Sequence, residues 1–364
     1  MNYRKATLLS TVDITTAKTE TVEINVSDVI SRISVVLELI NNGNDPTNHP
    51  LAAIKSISIV DGSKVIASMT GYAVQALSYN TSGKMPHNEL NYEDNAYARC
   101  FVPLDFGRYL YDPQLGLDPK KFKNLQLKVE HDYSLGGCSP DGGYIRVLAD
   151  MFDQKIASPV GYLQSKEITS FAPVEGSPKP ISLPLDNDIR MLMIINTNDN
   201  EEPDIQFEDV KIDEEDGKRV IVDCKCMDLI RDVALRHGRF GEYFSGHLAA
   251  TTADEFWLSA CKDIQVGGLC DTNDVILTFN WSGGRSRSMY GSAATYFGAN
   301  VSGLCPHGSV PVYFGDQNDP EDWWKVQNVG KAKVTLTPRE VAGAVTIDTE
   351  KTTDVIVQSL QKYI

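Results

Sequence analysis

The chain has 364 residues and a mass of 40.2 kDa, with 49 acidic against 34 basic side chains and a net charge of −15. That length suggests two domains at about 150 residues each. The acidity excludes binding of bare nucleic acid through a broad basic surface, and no apolar run approaches the ~20 residues that span a bilayer.

From the N-terminus, residues 1–10 carry Arg4 and Lys5 with no apolar core behind them, so they do not read as a signal peptide and synthesis in a cytoplasm is expected. Period-two alternation then dominates. It is clean over residues 21–26 (TVEINV), 31–39 (SRISVVLEL) and 124–130 (NLQLKVE), the pattern of strands with one face on a core. Further strands are expected at 54–60, 64–69, 144–149, 181–185, 190–195, 210–212, 220–224, 275–280, 334–337 and 355–359. Short strands separated by Gly, Pro, Asn and Asp indicate a sandwich or barrel.

Asp61-Gly62 and Asp216-Gly217 each sit between alternating segments and read as tight hairpin turns. A helix follows each, over 72–79 and 227–237. The second has Leu229 and Val233 on one face, an Asp232/Arg236 pair four residues apart and Gly238 as its stop. Thr252 and Glu255 have capping-box spacing, but a strand is preferred there because a repeat register places 256–260 opposite 101–105.

That register is an internal duplication. Val22-x-Ile24-x-Val26 recurs as Ile181-x-Leu183-x-Leu185, and Arg32-Ile33 as Arg190-Met191. Asp61-Gly62 with Lys64-Val65-Ile66 recurs as Asp216-Gly217 with Arg219-Val220-Ile221. Leu125-x-Leu127-x-Val129 recurs as Val275-x-Leu277-x-Phe279. The halves are 1–165 and 166–364, joined by a linker rich in Pro, Ser and Gly between Ser158-Pro159 and Pro180.

Catalytic patterns are absent: there is no phosphate loop, no H-E-x-x-H and no G-x-S-x-G. Gly283-Gly284-Arg285 lacks the lysine and spacing of a phosphate loop. His49, His87, His131, His237, His247 and His307 are spaced singly, and His131 beside Asp132 reads as a surface hydrogen-bonding residue. The seven cysteines are odd in number and scattered, so no disulfide framework is expected. Cys224 and Cys226 have C-x-C spacing that does not suit zinc and read as small strand residues. Asp316, Asp319, Glu321 and Asp322 form an oxygen-rich loop, a candidate for a structural calcium ion although it does not fit the twelve-residue calcium loop. Trp323 and Trp324 follow. Adjacent residues on a strand point to opposite faces, so one ring is expected in the core and the other at a subunit contact, with sugar stacking as the alternative.

The stretch Ile57–Ile66 with its Asp-Gly turn, the helix after it, Phe101-Val102-Pro103-Leu104-Asp105-Phe106, Leu115-Gly116-Leu117, and Leu125-x-Leu127-x-Val129 through Asp132 occur in an order that resembles the double jelly-roll major capsid proteins of tailless icosahedral viruses. That lineage is shared by membrane-containing bacteriophages and adenovirus-like viruses. The resemblance implies an all-β fold of two tandem eight-stranded antiparallel sandwiches with short helices in loops. It implies a non-enzymatic, cofactor-free subunit of a virion capsid that pairs with itself as a pseudo-hexameric homotrimer and then with a lattice of capsomers. Minor capsid or penton proteins and an internal membrane, touched by residues 1–5, are the other partners it implies. Loops 81–95, 284–311 and 316–330 would form outer towers. The absence of a basic N-terminal arm argues against direct contact with the genome. The alternative reading is a glycan-binding or glycan-cleaving pair of β-sandwiches, which would need converging carboxylates beside an aromatic platform, and only the surroundings of Trp323 offer one.

Overall fold

The structure, a computed structural model, describes residues 2–154, 157–196, 201–248, 253–270, 277–280, 283–289, 295–340, 347 and 351–363. The first half contains β1 (Tyr3–Ile14), β2 (Lys18–Glu23), β3 (Ile30–Ile40), β4 (Ile54–Asp61), β5 (Lys64–Met69), α1 (Gly71–Ser82), β6 (Asn88–Tyr92), β7 (Tyr97–Asp105), β8 (Leu125–His131) and β9 (Gly142–Phe152). The second contains β10 (Gly161–Phe171), β11 (Lys179–Ser182), β12 (Ile189–Asn196), α2 (Pro203–Gln206), β13 (Asp209–Glu214), β14 (Arg219–Lys225) and α3 (Cys226–His237). It continues with β15 (Phe240–Leu248), β16 (Ala253–Trp257), β17 (Ala260–Cys270), β18 (Leu277–Asn280), β19 (Arg285–Met289), β20 (Thr295–Pro306), β21 (Ser309–Tyr313), β22 (Ala332–Thr337) and β23 (Thr353–Lys362).

The strand orders repeat. In the first half, β1-β9-β3-β7 faces β2-β8-β4-β5; in the second, β10-β23-β12-β21 faces β11-β22-β13-β14. Each set is an eight-stranded antiparallel jelly roll, and the duplication holds down to single hydrogen bonds. Ile30 and Leu117 exchange both backbone bonds at 2.8 and 2.9 Å, as Ile189 and Trp324 do at 3.0 and 3.1 Å. Phe106 N–H donates to Ser31 as Phe314 N–H donates to Arg190. The row Val22–Leu127–Ile59 matches the row Ile181–Val334–Ile212.

Two of the expected repeat landmarks therefore move. A bulge between Ile30 and Arg32 recurs between Ile189 and Met191, so Arg32 corresponds to Met191, one residue from the expected register. The counterpart of β8 is β22, not residues 275–280. Val275 lies outside the described residues, and Leu277–Asn280 is β18, in a three-stranded sheet β16-β19-β18. The offset between halves rises from 155 (Ala67 to Val222) to 207 (Leu127 to Val334), so 52 extra residues enter the second half between β14 and β22. They include the strands β15, β17 and β20, which extend the β1-β9-β3-β7-β6 sheet. Residues 284–311, expected as loop, are thus largely strand. Thr252 lies outside the described residues, and Glu255 is in β16, pairing with Arg285 at 2.6 Å. The expected linker is also strand: β10 runs through residue 165 and pairs along its length with β23.

Alternation explains the walls. In β8, Leu125, Leu127 and Val129 are buried while Lys128 is exposed between them. β12 is buried at every residue because β23 and β21 flank it and both its faces are covered. Only Gly62 of the first Asp-Gly pair adopts a positive φ, +60°, so Gly62-Ser63 is the turn, and Asp61 instead accepts from the N–H groups of Lys123 and Asn124 at 3.0 and 2.6 Å. Helix α1 opens on Thr70, whose hydroxyl accepts from Ala73 N–H at 3.2 Å, and closes on Gly83 at φ +70°. Thr70→Ala is expected to cost about 1 kcal/mol and Thr70→Ser almost nothing, read as shifts of the urea midpoint. In α3, Arg236 and Asp232 pair at 2.7 Å, Val233 is buried and Leu229 packs on the second core. Cys226 opens this helix and is buried there, rather than continuing the strand that holds Cys224. Among the described residues no helix is long and apolar enough to cross a membrane.

Candidate functional site

In a scaffold of two sandwiches, the surfaces that join sandwich to sandwich are the candidate functional parts. Among the described residues, two pairs of named strands join them, beside a parallel bridge between Leu115 and Gly161. β5 meets β10 in parallel at Ser68 and Lys166, and β6 meets β15 in parallel over Leu90–Tyr92 and Phe244–Gly246.

Trp323 sits at the middle of this joint. Its ring is 1% exposed and packs with Leu115 of the first half and with Leu163 and Leu360 of the second. Its Nε1–H donates to Asp316 O at 2.9 Å, and the Arg190 guanidinium lies 5.8 Å from the ring centroid. Trp324 points the opposite way into the second core, 8% exposed, with Nε1–H donating to Glu214 Oε1 at 2.7 Å and its ring 4.8 Å from Phe314. The two rings do face opposite sides, but both are buried within this chain. Parts of both residues line an open recess beside β14.

The adjoining carboxylates cap turns. Asp322 Oδ2 accepts from Asp316 N–H at 2.7 Å, Asp316 Oδ1 from Asn318 N–H at 2.9 Å and Asp319 Oδ1 from Glu321 N–H at 3.0 Å. Glu321 is exposed, 3.7 Å from Lys325. Among the described residues no group of three or more His, Cys, Asp or Glu side chains is arranged to hold a metal ion. This loop is tied to the first half by Arg108. Its guanidinium donates to Asp112, which has no exposed side-chain surface, at 2.7 and 2.8 Å, and to Asn318 O across the joint.

A second, polar part of the joint brings together residues that sequence reasoning left scattered. His49 Nδ1 accepts from Leu51 N–H at 3.1 Å, so the neutral ring carries its proton on Nε2, 3.0 Å from Ser259 Oγ. Asn88 Nδ2–H donates to that same Oγ at 3.2 Å. Gln75 Nε2–H donates to Asn88 Oδ1 at 2.7 Å and to Phe101 O at 2.8 Å, leaving Gln75 Oε1 to accept from His307 Nε2–H at 2.9 Å. The two imidazoles stand edge to face at 5.2 Å beside Tyr72 and line a cavity of about 100 Å³ with Asn48, Asn196 and Cys261. Burial lowers the pKa of His49 to about 3 and pushes His307 well down, with His49 adding to the effect. His131, expected at the surface, is buried as well, and burial lowers its pKa. It continues the inward alternation of Leu125, Leu127 and Val129, a signal the sequence did contain.

Among the described residues several strands end a sheet, and β1 and β14 are two of them. β1 ends one eight-stranded sheet, and β14 ends the four-stranded sheet β11-β22-β13-β14. Residues 3–5 belong to β1, with Tyr3 opposite Phe152 and Lys5 opposite Asp150, rather than forming an arm.

No family model matches this chain, and no curated protein matches it by sequence. Solved structures do. The major capsid protein of Sulfolobus turreted icosahedral virus aligns at TM-score 0.61 with 10% identity, over 100% of this chain and 98% of that one. The PBCV-1 capsid, as a quasi-atomic structure, aligns at 0.57 with 12% identity, over 99% and 94%. The major capsid protein P2 of bacteriophage PM2 aligns at 0.56 with 8% identity, over 100% and 98%. These are double jelly-roll capsid proteins, and the chain shares their fold from end to end.

Proposed function

We propose that the chain is a major capsid protein, a non-enzymatic structural subunit of an icosahedral virion, three copies of which form a pseudo-hexameric capsomer. The observation that carries this reading is the duplication of two β-walled boxes with the same strand order, held side by side through strand contacts. A body with two equivalent units and an open edge at each extremity closes into a ring when the same contact repeats between chains, and three such chains give six near-equivalent walls for a hexagonal lattice. The whole-length likeness to capsid proteins supports the same reading. The capsomer would then meet further capsomers, minor or penton proteins, and on its inner side a membrane. The net charge of −15 disfavours direct genome contact. The glycan-directed alternative loses its main support, since both tryptophan rings are buried.

The solution mass of the purified chain, by light scattering after size exclusion, tests this. The expected value is three times 40.2 kDa. A monomer at micromolar concentration would contradict the proposal.

A further inference from the structure

The contact inside the chain predicts the contact between chains. β10 and β1 are equivalent strands: each comes first in its four-strand layer, β10-β23-β12-β21 or β1-β9-β3-β7, and both carry a bulge at the same place, between Glu167 and Thr169 and between Thr7 and Leu9. Lys166 opposite Val357 corresponds to Ala6 opposite Ala149. β5 and β14 are likewise equivalent. Ser68 opposite Ser58 corresponds to Asp223 opposite Lys211. Within the chain, Ser68 of β5 meets Lys166 of β10. The corresponding edges, β14 and β1, are each the last strand of their sheet among the described residues.

The surroundings of the two edges differ as a filled and an empty socket would. Beside β5, Phe122 packs against Tyr162 at 5.9 Å and Tyr363 at 6.2 Å, both delivered by the second half, and Tyr363 Oη donates to Gly116 O at 2.8 Å. The counterpart of Phe122 is Val329. It lines an open recess of about 510 Å³ beside β14, with Ile221, Val222, Phe314 and Trp324 on its apolar side and Glu321, Asp322, Arg219 and Lys325 on its charged side. The chain end that corresponds to Tyr162 is Asn2, whose carbonyl accepts from Asp153 N–H at 2.9 Å. Arg4 and Lys5 follow it; within the chain they pair with Asp28 at 2.7 Å and Asp150 at 2.8 Å, while Asp223 lies 3.7 Å from Lys211 and Glu321 3.7 Å from Lys325. Val220 at 45% exposure adds apolar surface along the β14 edge.

Resting on the capsomer reading above, we infer that the β14 edge and its recess are the socket for the β1 edge of a second copy of this chain, with Asp223 of one copy beside Ala6 of the next and Asn2–Lys5 seated over Val329. The contact is head to tail, so each copy gives one β1 edge and one β14 edge, and the ring closes at three. Pairing of exposed edges also removes the aggregation hazard they present.

The test uses the full chain carrying Ala6→Cys and Asp223→Cys, with each single variant as a control. Mild oxidation of the double variant is expected to give covalent dimers and a covalent trimer on non-reducing gels, and neither single variant is expected to do so. In the unaltered protein, a carbodiimide coupling amine to carboxylate with loss of water is expected to join Lys5 to Asp223 between copies, read by peptide mass spectrometry. A trimer of the expected mass that forms neither link overturns the socket and leaves the subunit reading standing. A chain that stays monomeric overturns both. Links in the Asp223→Cys single variant would show a symmetric contact and overturn the head-to-tail arrangement.

Discussion

Trp323→Ala is expected to lower the unfolding free energy by about 3–5 kcal/mol, the range for deleting a large buried aromatic ring. Three features put it toward the top of that range. The ring is 1% exposed, its three apolar neighbours come from both halves of the chain, and its indole N–H satisfies the Asp316 carbonyl. Truncation leaves a void where the halves touch and removes the aromatic face beside Arg190, a buried guanidinium that burial has already lowered to about 10. Trp323→Phe retains part of the packing and should cost less than half as much. Urea midpoints of the three proteins check this, and a loss under 1 kcal/mol for Trp323→Ala would show that the halves are held together elsewhere.

Acidification is the second large effect. His49 and His307 are neutral in the fold, His49 hydrogen-bonded at both ring nitrogens and His307 at Nε2. Protonating Nδ1 of His49 would set one N–H against that of Leu51. Their folded pKa values lie below the ordinary 6.5, at about 3 for His49. Between those limits the unfolded chain binds more protons than the folded one, so stability falls as pH drops below about 6.5. A buried neutral histidine contributes about 1.4 kcal/mol per pH unit in that window, so His49 is expected to cost on the order of 2 kcal/mol between pH 6 and 4.5, and His307 adds to the loss in the same direction. Asp105 and Glu242, which burial pushes upward, act in the opposite direction, since the folded form holds their protons more tightly. The comparison that isolates the histidines is therefore with the His49→Gln, His307→Gln double variant. It should be less stable at pH 7.5 and show a flatter decline in acid. Equal slopes for the two proteins would sink this account.

Local order was legible where one signal decided the structure. The alternation of Leu125, Leu127 and Val129 is a wall strand, and Asp232, Arg236 and Gly238 mark the last turns of α3 as expected. The repeat was readable through β5 because both halves keep a hairpin at the same place with nearly the same spacing, although the turn is Gly62-Ser63 in the first and the four residues 215–218 in the second. It failed after α3, where 52 residues enter and the new strands β15, β17 and β20 carry Gly241, Gly246, Gly267, Gly298 and Gly303, which blur alternation. β10 was hidden by the Pro, Ser and Gly that flank it. The polar joint was not legible at all. His49 and His307 stand 258 positions apart, and what brings them together is the side-by-side placement of two sandwiches, which no local pattern encodes. For Trp323 and Trp324 the opposite facing and the burial of one ring were foreseen. The burial of the second was not, since the partner of Trp323 is the other half of the same chain.

The central claim is that one chain supplies two equivalent walls of a six-walled ring. Electron micrographs of the purified, unaltered protein test it most directly. The account predicts class averages with a hexagonal outline and threefold symmetry, six similar lobes around a centre, and three of them enlarged by the extra strands of the second half. Single two-lobed particles, or a twofold assembly, would contradict it.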